Sequence, residues 1–215
     1  MTADVDGTEA TTPTIDSTGA PITRREQMKA DRRRQLLDAA ARLIAERGFL
    51  GVRLEDLGSA AGISGPAVYR HFPNKDAVLV ELLVGISTRL FEGGSLVAAE
   101  ATSPDAALEG LIDFHLDFAL GEPDLIRIQD RDLESLPTDA RREVRQKQRR
   151  YVEIWVKVLL QVDPSLDETD ARTKAHATFG LINSTPHSAD PATPSRTRKV
   201  LRDMTFSCLR PVSTC

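Results

Sequence analysis

Leu54–Ala61 reads as a short helix with Leu54, Leu57 and Ala61 on one side, and Gly62-Ile63-Ser64 reads as a tight turn. Ser64 is a natural N-cap for a second short helix that reaches about Phe72, where Pro73 stops it. Pro66 falls in the first turn of that helix, where a missing N–H costs little. Two short helices joined by a Gly-containing turn form a helix-turn-helix, whose second helix can enter a DNA major groove by its N-terminal end. Gly65, Pro66 and Ala67 keep that end small, so the backbone can come close to DNA. Tyr69, Arg70, His71 and Lys75 supply donors along one edge and at the start of the next helix. Lys75 sits where free backbone N–H groups already favour a phosphate.

The formal charge of the 215-residue chain is −4, which taken alone argues against nucleic acid as a partner. The charge is unevenly placed, however. From Arg24 to Lys75 there are 11 Lys/Arg against 6 Asp/Glu, a local excess of +5. Residues 1–23 hold four acids and no base, and residues 76–215 hold 17 bases and 22 acids. A basic module on an acidic body is the footprint of local phosphate contact, although a solvated charged helix fits the charge alone equally well.

Along the rest of the chain the apolar period is that of helices. Residues 1–23 hold almost no large apolar side chains and read as a disordered tail. Six bases fall in Arg24–Arg34, either as an arm toward an adjacent groove or as a solvated flank. A helix from Arg32 to Arg47 then carries Leu36, Leu37, Ala40, Leu43 and Ile44 as one stripe, with Gly48 at its end. Asn74 caps a helix from Lys75 to about Phe91, which Gly93-Gly94 should terminate. Further helices are predicted over Pro104–Leu120, Pro123–Leu136, Asp139–Val162, Leu166–Ser184 and Arg196–Leu209, with a Pro-rich loop Pro186–Pro194 before the last. No alternating apolar run marks a strand. The expectation is an all-α chain of about nine helices, divided into residues 1–23 (tail), 24–75 (helix-turn-helix) and 76–215 (a second helical domain). No apolar stretch reaches about 18 residues and no signal peptide opens the chain, so a cytoplasmic protein without a membrane span is expected. Cys208 reads as a small buried hydrophobe and Cys215 as a free thiol.

The run Leu57-Gly58-Ser59-Ala60-Ala61-Gly62-Ile63-Ser64-Gly65-Pro66-Ala67-Val68-Tyr69-Arg70-His71-Phe72-Pro73-Asn74-Lys75 resembles the signature of the tetracycline-repressor (TetR) family. The Gly-aliphatic-Ser turn, the Tyr-x-His-Phe and the Lys three beyond Phe72 stand at that family's spacing, and Arg33–Phe49 resembles its first helix. The resemblance covers about a quarter of the chain. It implies a homodimeric repressor on a palindromic operator in double-stranded DNA, released by a small-molecule effector. Carried over by position, Gly65, Pro66, Ala67 and Arg70 face bases, Tyr69, His71 and Lys75 hold phosphates, Ser64 caps, and Val68 and Phe72 are core. Arg53 stands where the family often has Thr or Ser, which weakens that cap but offers a phosphate contact. Gly58 stands where the family usually has Ala, at a propensity cost near ~1 kcal/mol. On the residues alone, Tyr69, Arg70 and His71 also admit ordinary packing, surface and structural roles.

The resemblance pairs the last two helices across the two-fold axis, which here offers Ala171, Ala175, Phe179 and Ile182 on one and Val200, Leu201, Met204, Phe206 and Cys208 on the other. An effector pocket between helices would be lined by Phe114, Phe118, Ile128, Trp155, His176, Phe179 and Asn183. His176, Asn183 and His187 fall on one helical face, but residues eleven apart are ~16 Å apart along a helix, so they are not one metal site. Arg131 within Asp130-Arg131-Asp132 either pairs a ligand anion or makes a structural salt bridge. The stretch Gly180–His187 is similar to that of regulators of actinobacterial lipid or branched-chain acyl-CoA catabolism, and the Arg-rich run Arg141–Arg150 would suit phosphates or simply face solvent. No cofactor, metal or enzymatic activity is expected. Asp113 and His115 diverge on a helix, and neither a Gly-x-Ser-x-Gly nor a phosphate loop is present. The competing reading is an architectural or effector-independent DNA-binding protein, with a filled interior in place of a pocket.

Overall fold

The computed structural model describes residues 23–189 and 192–209, and all of the regular structure within them is helical. Residues 1–22, most of the expected tail, and Cys215 lie outside the described residues. The helices are α1 (Arg24–Arg47), α2 (Leu54–Ala60), α3 (Gly65–Val68), α4 (Lys75–Glu100), α5 (Pro104–Gly121), α6 (Pro123–Asp132), α7 (Thr138–Val162), α8 (Glu168–Ile182), α9 (Thr185–Ser188) and α10 (Pro194–Leu209). A 3-10 turn, Leu133–Ser135, follows α6. Nine of these match the expected series, while α9 is a single turn inside the stretch read as a Pro-rich loop.

Caps fix most boundaries. Asn74, Ser103 and Asp167 each accept a backbone N–H three residues on, at 2.8, 3.1 and 2.8 Å, as short polar side chains do at helix starts. Thr23 does the same for α1, and Glu26 reaches back to the Thr23 N–H at 2.9 Å, closing a capping box. That box starts α1 eight residues earlier than the apolar stripe indicates, so Arg24–Arg34 is helix and not an extended arm.

The second correction concerns α4, which does not stop at Gly93-Gly94 but runs on to Glu100. The two glycines are notches. A Cβ on Gly93 would stand 2.4 Å from the Phe114 ring, and one on Gly94 would stand 2.4 Å from the Tyr151 ring. Missing side chains there let α5 and α7 press their aromatic rings onto the α4 backbone. α4 is also apolar enough over 18 residues to pass a composition test for a membrane span, but its most extensive packing is against α7 and α5. A core helix meets the same test.

Two apolar cores result. The first joins Leu36, Ala40 and Ile44 of α1 to Leu57, Val68 and Phe72, and is completed by Val78, Leu79 and Leu83 of α4 with Leu125 and Ile128 of α6. The second joins α5, α7, α8 and α10 through Leu111, Ile112, Trp155, Leu159, Ala175 and Leu201. α6 serves both, because Ile126 belongs to the second core. Ala171, Ala175, Ile182 and Leu201, offered above as a dimer face, are buried within this one chain. The faces of α8 and α10 left outward carry Leu181, Val200 and Met204 instead. Cys208 is exposed, because it falls on the outer side of α10 between the buried Thr205 and Leu209.

Candidate nucleic-acid interface and effector site

The helix-turn-helix is held at its crossing by a glycine. A Cβ on Gly58 would stand 2.7 Å from Val68 Cγ2 and 3.0 Å from the Ile63 carbonyl. The residue that costs helix propensity is therefore what lets α2 and α3 meet. Regular α geometry in α3 ends at Val68, but the His71 and Phe72 N–H groups both bond the Val68 carbonyl, at 2.8 and 3.0 Å, so a tightened turn carries Tyr69, Arg70 and His71. Ser64 occupies the N-cap position with extended backbone, yet its side chain makes no capping bond; its carbonyl accepts from Ala67 and Val68 instead. Arg53 cannot cap α2, and the Asp56 carboxylate accepts the Arg53 N–H at 2.8 Å.

Outward from this frame stand Arg53, Ser64, Pro66, Tyr69 and Arg70, with Gly65 and Ala67 half-buried. Tyr69 is 51% exposed, which removes the packing reading, and its hydroxyl donates to Glu55 at 2.8 Å. Arg70 makes no side-chain hydrogen bond or ion pair among the described residues. His71 is half-buried with Nδ1 unpartnered, and its pKa is lowered by burial and then by Arg33, Lys29, Arg32 and Arg70, so a field of cations converges there. Arg33 fixes that end of the motif. It donates to the His71 carbonyl at 2.5 Å and to Glu81 Oε1 at 2.8 Å, and lies 4.2 Å from the Phe72 ring centre.

Lys75 is turned inward: Nζ donates to the Phe49 carbonyl at 2.9 Å and sits 4.3 Å from the Phe49 ring centre. The same corner is gripped from α6. Arg131 donates to the carbonyls of Ala45 (3.2 Å) and Ile44 in the last turn of α1, and the buried Asp132 accepts the Phe49 N–H at 3.2 Å. Arg131 Nε bonds Asp132 at 3.1 Å, so the two act as one clamp.

The polar point of the second core is His115, 3% exposed at the centre of the α5 stripe Leu108, Leu111, Ile112, Leu116 and Ala119. Its Nε2 lies 3.0 Å from Asn183 Oδ1 and its Nδ1 lies 3.3 Å from the Tyr151 hydroxyl. The rings of Phe118, Tyr151, Trp155 and Phe179 surround it, with centroids 5.0 to 6.1 Å away. Burial lowers the His115 pKa to about 4, partly opposed by the bond to Asn183, and burial also raises the Tyr151 phenol.

Comparison with known proteins agrees with this geometry. The profile of bacterial regulatory proteins of the tetR family matches residues 36–82, and that of the tetracyclin repressor-like C-terminal domain matches residues 101–188. The chain belongs to the TetR family. Among TetR relatives, the transcriptional repressor KstR2 of Rhodococcus jostii is 38% identical over 84 residues, covering 39% of this chain and 41% of that one. KstR2 of Mycobacterium tuberculosis is 34% identical over 135 residues, covering 60% of this chain and 66% of that one. The matched segments thus span less than two thirds of these curated relatives. The solved structure of the M. tuberculosis protein, a ketosteroid transcriptional regulator, superposes with a TM-score of 0.73 at 23% identity, covering 83% and 93% of the two chains. FadR of Bacillus subtilis, solved with stearoyl-CoA, gives 0.58 at 22% identity over 81% and 94%.

Within this TetR fold the expected effector residues divide. Phe118, Trp155, Phe179 and Asn183 meet around His115, while Phe114 sits beside them against Gly93. Ile128 is fully buried in the first core and Arg131 belongs to the clamp, so neither joins them. His176 and His187 are exposed while Asn183 turns inward, so the three do not converge. The sequence reading weighs His115 only as a catalytic partner of Asp113 and does not single out Tyr151 for the effector site; their place within apolar stripes of period 3.6 is the available signal. In the Arg-rich run, Arg141 and Arg145 share Glu134 at 2.7 and 2.5 Å, and Arg150 lies 4.1 Å from the Phe91 ring centre.

Proposed function

We propose that this protein is a ligand-responsive repressor that binds a palindromic DNA operator as a homodimer and is released by an acyl-CoA or lipid-like effector. The observation that carries the DNA reading is the helix-turn-helix, with a small α3 end and exposed Tyr69 and Arg70 on the basic segment of an otherwise acidic chain. Arg70 and the α3 end would meet base edges, while Tyr69, Arg53 and the cations around His71 would meet phosphates. Lys75 has a structural role, holding the corner from which α4 starts.

Homodimerisation is supported by the outward faces of α8 and α10. Leu181, Val200 and Met204 line an apolar groove of about 450 Å³ there, and the last two are 49% and 46% exposed. The effector reading is supported by the KstR2 and FadR likenesses and by the aromatic, singly polar surroundings of His115. A repressor of this kind works in the cytoplasm.

Selection of genomic fragments with the purified protein, followed by footprinting, tests the reading. A short protected palindrome is expected. Sequence-blind protection that vanishes with added salt would replace it with the architectural alternative.

A further inference from the structure

An acidic and a basic segment are consecutive in this chain. Residues 1–22 hold Asp4, Asp6, Glu9 and Asp16 but no Lys or Arg. They join the fold at Thr23, the cap of α1, and Arg24–Arg34 then brings six bases against Glu26 and Asp31. Because those turns are helical, the bases stand on a fixed surface. Arg33 is spent on Glu81 and on the His71 carbonyl, which ties this end of α1 to the turn carrying Tyr69 and Arg70. Arg34 meets Asp31 at 3.4 Å. Arg24, Arg25 and Lys29 are exposed and make no side-chain hydrogen bond or ion pair among the described residues. The pKa of His71 is lowered first by burial and then by Arg33, Lys29, Arg32 and Arg70, so the cations of α1 and the outward edge of the helix-turn-helix form one continuous field.

We propose that Asp4, Asp6, Glu9 and Asp16 compete with DNA for the cationic face of α1 made by Arg24, Arg25, Lys29 and Arg32. The inference rests on the DNA reading above and adds a restraint to it. Charge complementarity selects this occupant, and its tether at Thr23 lies at the edge of the face it would cover. An extended chain covers about 3.3 Å per residue, whereas the basic turns of α1 rise only about 15 Å, so the segment reaches each of these cations. Tethering also supplies an effective concentration on the order of millimolar, which compensates for ion pairs that are individually weak. DNA must displace the acids before its phosphates take the same cations. Phosphate contacts carry no sequence information, so the cost falls alike on operator and on any other DNA.

Selected operator and scrambled DNA are titrated by anisotropy with the full-length wild type and with a full-length variant carrying Asp4→Asn, Asp6→Asn, Glu9→Gln and Asp16→Asn. At ~50 mM salt the variant is expected to bind both DNAs about fivefold more tightly, and at ~300 mM the gain is expected to shrink below about twofold. A second variant controls for net charge alone by neutralising Glu92, Glu100, Asp105 and Asp170, which are exposed on the second helical domain, as Gln or Asn. Its gain at low salt is expected to stay below about twofold. With Arg24→Gln, Arg25→Gln and Lys29→Gln in the background, neutralising the four N-terminal acids is expected to bring no gain, because the shared face is gone. Equal affinity of wild type and the first variant, an equal gain from the control, or an undiminished gain without the three cations overturns the proposal and leaves the DNA reading standing. Failure of every form to bind the operator overturns the DNA reading and the restraint together.

Discussion

His115 is a histidine held neutral by its surroundings. Its ordinary pKa near 6.5 is lowered to about 4 in the folded chain, chiefly by burial. Between those values an unfolded chain takes up a proton that the folded chain refuses, so stability falls with pH in that window. The cost is absent above about 6.5, grows as the pH drops, and reaches on the order of 3 kcal/mol at about 4. The comparison that isolates this one group is with His115→Gln. Melting temperatures of the variant are expected to fall less between pH 6.5 and 4 than those of the wild type. Parallel curves would mean that His115 is not neutral and buried in solution. Arg131 and Lys75 teach a related lesson about single residues. Both are cations that the sequence offers to anionic ligands, Arg131 with a structural salt bridge as its alternative, and both spend their charge on backbone carbonyls of the α1–α2 corner.

Helices were largely legible in the sequence because their caps are local. Asn74, Ser103 and the apolar stripes of α5 and α7 lie within a few residues of what they control. The departures came where a distant partner decides. Gly93-Gly94 is a terminator by local rules, but here it is a seat for rings from Phe114 and Tyr151, tens of residues away. Gly94→Ala and Gly58→Ala are each expected to cost about 1–3 kcal/mol, read by urea denaturation, because their neighbours are packed side chains with little room. The propensity gain of alanine would make both variants more stable if the close approach were not real. The inward turn of Asn183 and the outward turn of His176 were equally hidden, since helix phase alone does not say which side α5 will cover. The clamp of Arg131 and Asp132 belongs to this scale too. It joins α6, which contributes to both cores, to the end of α1 and the start of the turn before α2. Arg131→Met is expected to keep both DNA and effector binding but to weaken effector-driven release about tenfold, measured by operator anisotropy with and without effector. Unchanged release would place the coupling elsewhere.

At the scale of the whole molecule, the helix-turn-helix, the shared helix α6 and the aromatic second core form one chain of contact. The helix-turn-helix was legible in the sequence because its motif is short and fixed in spacing. The outward face of α8 and α10 was not, because Ala171, Ala175, Ile182 and Leu201 are spent on the chain's own core and the outward residues are a smaller set. Met204→Asp is therefore expected to shift the protein from dimer to monomer in analytical ultracentrifugation and to weaken operator binding at least tenfold. A dimer unaffected by that charge would move the interface off α8 and α10. The central claim is that the exposed edge of α3 reads DNA sequence, and it is tested most directly by measuring the affinity of wild type, Arg70→Ala and Tyr69→Ala for the selected operator and for scrambled DNA at two salt concentrations. The account predicts that Arg70→Ala loses about 1–3 kcal/mol on the operator, chiefly through one base position, while Tyr69→Ala weakens binding to both DNAs alike. Equal losses on operator and scrambled DNA for Arg70→Ala, or no loss for either variant, would contradict it.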